Sequence, residues 1–290
     1  MTQIIDSLAD IANRYDVLLV DLWGCVHNGV TAYPEAVASL RGFRQGGGTV
    51  VLLTNAPRSR HEVAKQLVRL NVPEDSHDDI ATSGDSARAA MFRGAVGEKV
   101  WFMGQPFDET FFDPMEIIDN PVTIQRVNLV DAEGIICCGP FDPHADPAVN
   151  RPQFLYAKQK GLKLLCANPD IVVDRGDRRE WCAGALAALY TEMGGESLYF
   201  GKPHPPIYDL ARRRLAALDK DVDPTRILAI GDGVHTDIDG AMGEDIDSLF
   251  ISGGLAAVET KTSHQPDPDA LKAYLERENA SPTYTIGQLR

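Results

Sequence analysis

Short, nearly unbroken apolar runs recur along the chain, and each gives way to a segment whose apolar residues return every three or four positions. DVLLVDLWG at residues 16–24 is the first such run and TVVLLTN at 49–55 the second. Runs of this kind read as strands covered on both faces, as in a parallel sheet. PEAVASLRGFRQGGG follows the first as a helix, with Pro34 near its start and glycines past its end, and SRHEVAKQLVRLNV follows the second. DDIATS and DSARAAMFRG repeat the pair, so strands and helices alternate as in a sheet layered between helices. Ahead of them, Ile4, Ile5, Leu8, Ile11 and Ala12 sit at helical spacing and predict a short amphipathic lead-in helix.

From about residue 97 the texture changes. KVWFMG, VTIQRV, AEGIICCG and LKLLCANPD read as strands separated by loops rich in aromatics, proline and aspartate, with helices expected near 150–160 and 182–194. The first pattern then resumes with SLYFGK, the helix PPIYDLARRRLAAL, the strand RILAIGD, a helix near DIDGAMGE and the strand DSLFISGG. The predicted fold is α/β: a doubly wound, Rossmann-like parallel-sheet core formed by 1–96 and 197–290, with a smaller α/β domain, 97–196, inserted into it. Two domains in tandem would leave the first sheet short.

The chain has 290 residues, 44% of them hydrophobic, enough for one large core or two modest ones. A net charge of −14 argues against nucleic acid or an anionic membrane as partner, while small anions can still be held where a few cations and backbone amides converge. Five cysteines (Cys25, Cys137, Cys138, Cys166, Cys182) form an odd set without C-x-x-C spacing, as expected of a reducing, cytoplasmic setting. The amino terminus has neither the basic start nor the apolar run of a signal peptide, and no stretch is apolar enough to cross a bilayer.

Candidate chemistry lies where the buried strands end. Asp21, Thr54-Asn55 and Gly231-Asp232 each close an apolar run, and in an open parallel sheet those ends share one edge, where ligands bind. One such aspartate is an ordinary turn former; three strands ending this way point to a site. Two carboxylates brought together repel unless a cation lies between them, and Asp21 with Asp232 suits Mg²⁺, a hard ion content with few carboxylates. Asp237 either orients a metal-bound water or caps a helix. Thr54 offers a hydroxyl to an anion, and Lys202 a positive charge beside the aspartates. Gly46-Gly47-Gly48 precedes a strand and lacks a following Lys-Ser/Thr, so it reads as a turn.

Taken in order, Asp21, Thr54-Asn55, Gly201-Lys202-Pro203 and GDGVHTD at 231–237 resemble the four motifs of the haloacid-dehalogenase-like (HAD) hydrolase superfamily. LLTN, ANPD, FGKP and GD-x-x-x-TD are most similar to its class IIA branch, the NagD and p-nitrophenyl phosphatase-like enzymes with a large inserted cap. The resemblance implies that Asp21 is a nucleophile forming an aspartyl-phosphate and that Thr54 and Lys202 hold the phosphoryl group. It further implies that Asp21, Asp232 and the backbone carbonyl of Trp23 bind Mg²⁺, with Asp237 in the outer shell. Asn55, Asn168 and Asp170 would contact substrate near the junction of core and cap, and residues 97–196 would close over the site.

One position departs from the pattern. These phosphatases usually read Asp-x-Asp-Gly, the second acid protonating the leaving alcohol, but the equivalent residue here is Trp23. Its absence predicts slow turnover or a preference for good leaving groups, a loss of roughly 10²–10⁴-fold. His27, the nearest titratable side chain in sequence, either substitutes or packs beside the turn. The expected activity is Mg²⁺-dependent hydrolysis of a small phosphorylated metabolite such as a sugar phosphate or nucleotide monophosphate. The alternatives are a non-enzymatic binder of such metabolites and a 2-haloacid dehalogenase, whose departing halide needs no proton. An exposed cap strand could pair with a second copy of the chain to give a homo-oligomer.

Overall fold

In the computed structural model, which describes residues 2–115 and 118–290, successive residues of each apolar run turn to opposite faces of one sheet. Leu18, Val20, Val50, Leu52, Leu228 and Ile230 pack with Leu40 of helix Pro34–Gln45 and Leu67 of helix Arg60–Arg69. Val17, Leu19, Val51, Leu53, Ile227 and Ala229 pack on the other side with Ile207, Ala211 and Leu215 of helix Pro205–Ala217. The runs are unbroken because both faces are covered.

Seven parallel strands form this sheet, in the order Gln3–Ile4, Tyr284–Ile286, Asp247–Ile251, Ile227–Gly231, Val17–Val20, Thr49–Thr54 and Asp79–Thr82. The chain builds outward from Val17–Val20 through Thr49–Thr54 to Asp79–Thr82, and later restarts on the opposite flank at Ile227–Gly231. That reversal opens a crevice at the carboxyl ends of the two central strands.

A second sheet has five parallel strands, in the order Glu196–Tyr199, Lys163–Cys166, Gly134–Cys137, Lys99–Met103 and Gln125–Arg126. Helices Arg151–Gln159 and Ala183–Glu192 cover one face through Phe154, Ala157, Leu186 and Tyr190. The other face meets Ala87, Met91 and Phe92 of helix Ser83–Phe92, which leads out of the first sheet. Adjacent Cys137 and Cys138 fall on opposite faces, and all five cysteines are buried and unpaired. An antiparallel hairpin, Val172–Arg175 with Arg178–Trp181, projects from this unit. Among the described residues, no helix is long and apolar enough to cross a membrane.

Two expectations change. SLYFGK does not resume the first sheet: Glu196–Tyr199 pairs with Lys163–Cys166 in the second, and the chain re-enters the first unit after Tyr199 rather than at residue 197. The crossover through helix Ala183–Glu192 returns the chain beside the strand it left, a pairing that a strand's own composition cannot specify. Nor is the lead-in segment an amphipathic helix. Gln3–Ile4 adds an edge strand to Tyr284–Ile286, and Leu8–Asp10 and Ala12–Arg14 are single 3₁₀ turns. Ile5, Leu8 and Ile11 are buried nonetheless, so their spacing reported burial without reporting helix.

Leu52 lies fully buried in a central strand, so Leu52→Ala is expected to cost about 2–5 kcal/mol in urea unfolding. Val68→Ala, at a residue 58% exposed, should change stability by no more than about 0.5 kcal/mol. Equal effects would contradict the layering described.

Candidate active site

Val20 pairs with both Ile230 and Leu52, so Asp21, Asp232, Thr54 and Asn55 leave the sheet at one edge. The Asp21 N–H still donates to the Ile230 carbonyl at 2.8 Å, which carries the ladder one residue past the strand and fixes where the carboxylate begins. Lys202 arrives from the loop after Tyr199, with only 2% of its surface exposed. Its ammonium lies 2.6 Å from Asp21 Oδ1 and 2.6 Å from Asp237 Oδ1. Asn55 holds the lysine backbone from both sides: Oδ1 accepts the Lys202 N–H at 2.7 Å, and Nδ2 donates to the Lys202 carbonyl at 3.2 Å. Nδ2 also donates to Asp170 Oδ1 at 2.7 Å.

Asp232 Oδ2 accepts the Leu255 N–H at 3.0 Å. The carboxylate is wedged between Gly24 and Gly254, where an added Cβ would lie 2.1 Å and 2.0 Å from it. Gly24 also has φ +73°, a conformation that favours glycine. Asp237 belongs to a widened helical turn, Val234–Ile238, and its second oxygen accepts the Gly233 N–H at 3.1 Å. It is therefore a counter-ion of Lys202 as well as a neighbour of Asp232.

The charges do not balance. Burial raises the pKa of Asp21 against the pull of Lys202, and raises that of Asp237 as well. Burial, followed by the charges of Asp21 and Asp237, pushes Asp232 well above the ordinary carboxylate range. Burial works to lower the pKa of Lys202, but Asp21, Asp237 and Asp170 hold it well above its usual value. With one ammonium among several buried carboxylates, every group is driven to keep protons, and a divalent cation would relieve the repulsion. The donors fit a hard ion. Carboxylate oxygens of Asp21 and Asp232 lie within 4.8 Å of each other, and the Trp23 carbonyl accepts no hydrogen bond among the described residues. Cys25 Sγ falls in the same cluster, but burial pushes its thiol pKa far up and keeps it protonated.

A cavity of about 210 Å³ is lined by Asp21, Trp23, Asp170, Lys202, Asp232 and Asp237, which the structure thus brings together. Thr54 and Asn55 do not line it: the buried Thr54 hydroxyl accepts the Ala56 N–H at 3.2 Å, and both ends of the Asn55 carboxamide are engaged as described. Asn168 accepts the Asp170 N–H at 3.0 Å and faces an adjoining chamber of about 490 Å³. Larger hollows, of about 890 and 570 Å³, include neither Asp21, Lys202 nor Asp232 in their walls, so size alone does not locate the site.

The hairpin went unread in the sequence, although Gly176-Asp177 between two β-like runs was a signal for it. It places Val172, Val173, Asp174 and Gly176 in the cavity wall. The Arg175 guanidinium lies over the Trp23 ring at 5.2 Å, and the Gly176 N–H donates to the Asn28 carbonyl at 3.2 Å. Trp23 also meets His27 edge-on at 5.2 Å. His27 does not replace the missing acid. It is wholly buried, its Nδ1 accepts the Gly29 N–H at 3.0 Å, and burial pulls its pKa down to about 4.

The family model described as haloacid dehalogenase-like hydrolase matches residues 18–117, and one described as HAD-hydrolase-like matches 199–277. A solved hydrolase of the haloacid dehalogenase-like family from Brucella suis 1330 is 35% identical, with a TM-score of 0.85, covering 99% of this chain and 100% of that one. The D-glycerol 3-phosphate phosphatase of Mycobacterium tuberculosis is 26% identical over 260 residues, 86% of this chain but 66% of that protein, so the chain spans slightly under two thirds of this relative. A glycerol phosphate phosphatase of Mycobacterium tuberculosis, solved in complex with magnesium, shares the fold with a TM-score of 0.64 at 24% identity, covering 97% of this chain and 77% of that one. The chain belongs to the haloacid dehalogenase-like hydrolase family. It is a hydrolase.

Lys202→Met keeps the length of the side chain and removes the charge that Asp21 and Asp237 share. It is expected to destabilise the protein by about 3–5 kcal/mol near pH 7. The carboxylates left behind have pKa values raised above their unfolded ones. Stability is therefore retained at low pH and lost as pH rises through the raised values, and the deficit should widen between pH 5 and 8. Thermal melts across that range would show a constant deficit if the lysine merely filled space.

Proposed function

We propose that this chain is a Mg²⁺-dependent phosphatase acting on small phosphorylated metabolites, through a phosphoryl-enzyme intermediate on Asp21. The observation that carries this reading is Lys202 held 2.6 Å from Asp21 with Asp232 gathered beside them in one buried cavity. Asp21 attacks phosphorus as the bond to the leaving oxygen breaks; water then cleaves the aspartyl-phosphate, releasing phosphate and restoring the carboxylate. Lys202 compensates the charge of the phosphoryl oxygens, and Asp237 holds the lysine in place. Asp21, Asp232 and the Trp23 carbonyl would hold Mg²⁺, which would supply electrostatic stabilisation of the transferring group. Thr54 fixes the backbone of the loop that follows its strand through the Ala56 N–H. Asn55 positions Lys202 and Asp170, and with Asp170 belongs to the substrate-facing wall.

In this reading the second sheet and its hairpin, roughly residues 97–200, act as the cap, with the hairpin roofing the cavity and excluding water. Asp232, placed beside Asp21 where the two can share a divalent cation, has no part in halide displacement, which favours phosphoryl transfer over dehalogenation. The buried, unpaired cysteines accord with a reducing compartment.

Two outcomes test the reading. Asp21→Asn is expected to abolish hydrolysis of p-nitrophenyl phosphate, and a chelator to abolish it in the wild type until Mg²⁺ is restored; retained turnover by the variant would refute the nucleophile. With Trp23 and His27 unable to deliver a proton, rates should fall steeply with leaving-group basicity. Alkyl phosphates are expected to turn over at least about 100-fold more slowly than p-nitrophenyl phosphate. A flat dependence would instead point to Asp170, which borders both cavities and whose pKa burial raises, as the proton donor.

A further inference from the structure

The chamber of about 490 Å³ shares Trp23, Asp170 and Val173 with the smaller cavity, so a phosphate ester bound at Asp21 would project its leaving group toward it. Arg58, in the loop between Thr54 and helix Arg60–Arg69, lies in its wall. The guanidinium stacks 4.7 Å from the centre of the Phe107 ring, and Nη1 donates to Gln66 Oε1 at 3.2 Å. Its Nε is buried without a partner, and among the described residues Arg58 makes no salt bridge. Burial lowers its pKa from the usual guanidinium range.

Most of the other charged groups facing this chamber have partners of their own. Arg175 pairs with Glu180 at 3.0 Å and Glu62 with Lys65 at 2.7 Å, while Asp170 accepts from Asn55. Asp108 accepts the Gln105 N–H at 2.9 Å through one oxygen and leaves the other unpartnered; burial raises its carboxyl pKa against the pull of that N–H and of the nearby Arg58 charge. Arg69 stands exposed at the rim. Inside that rim, Arg58 is a half-buried planar cation with an unpartnered Nε.

We propose that this chamber receives the leaving group and that Arg58 selects substrates whose leaving group carries a second oxyanion, either a carboxylate or another phosphate. A guanidinium fork matches both in the same two-pronged geometry, and does so more strongly away from water. Phe107, Pro140 and Trp181 supply apolar walls for the short carbon skeleton between the two anions. The inference rests on the phosphatase reading and names its substrate class.

The test compares kcat/KM within matched pairs in the presence of Mg²⁺: 3-phosphoglycerate against glycerol 3-phosphate for the carboxylate, and fructose 1,6-bisphosphate against fructose 6-phosphate for the second phosphate. The anionic member of at least one pair is expected to be preferred by about tenfold or more, the worth of one charge-assisted contact. Arg58→Gln should collapse that ratio, and Arg58→Lys should keep part of it. Equal use of both members in both pairs by the wild type, or an unchanged ratio in Arg58→Gln, overturns the proposal; the wild-type comparison decides even if the variant fails to fold. Absence of any p-nitrophenyl phosphate turnover would refute the phosphatase reading instead. The same pairs would then be compared by the thermal shift each ligand gives the wild-type protein, with equal shifts overturning the role of Arg58.

Discussion

One buried carboxamide, that of Asn55, ties the two halves of this molecule together beside an ammonium shared between Asp21 and Asp237. Lys202 stands where the chain re-enters the first unit from the second, and Asp170 where it leaves Lys163–Cys166 for the hairpin. Asn55 grips both with a single carboxamide. The return crossing between the units therefore meets the hairpin's root at the chemical centre. The relative placement of the two sheets and the placement of the reactive groups are thus linked through one buried side chain.

The same centre is electrically unfavourable in isolation. Several carboxylates with one amine between them, all withdrawn from water, stay folded because the surrounding strands and helices over-determine their positions: two large apolar layers hold the sheet, and glycines at 24 and 254 leave room for Asp232. Instability concentrated at one spot and supported by a well-packed remainder is the usual relation between an active site and its scaffold.

The parts of this arrangement written in local sequence were legible. Apolar runs ending in Asp21, Thr54 and Asp232 revealed strands, layers and the working edge, because burial on both faces leaves its mark in composition. Pairing left no such mark, so Glu196–Tyr199 was assigned to the wrong sheet, and the charged hairpin 172–181 was missed because its alternation is masked by ionic side chains paired with one another. Direction was also hidden. Thr54 and Asn55 sit at the expected edge but do not line the cavity: the Thr54 hydroxyl bonds locally to the Ala56 N–H, and the Asn55 carboxamide is claimed by the distant Lys202 and Asp170. The lack of a proton donor at residue 23 could be read directly; the arginine resting on it could not, since Arg175 is far away in the chain.

That contact between Trp23 and Arg175, together with the hydrogen bond from Gly176 to Asn28, means the loop carrying Asp21 is also the surface against which the hairpin rests. Residue 23 can present either an acid to the leaving oxygen or an aromatic face to the arginine, but no single side chain does both. Here residue 23 commits its side chain to the contact with the hairpin, so an acid placed there to speed alkyl-ester hydrolysis would give up the aromatic face that Arg175 rests on.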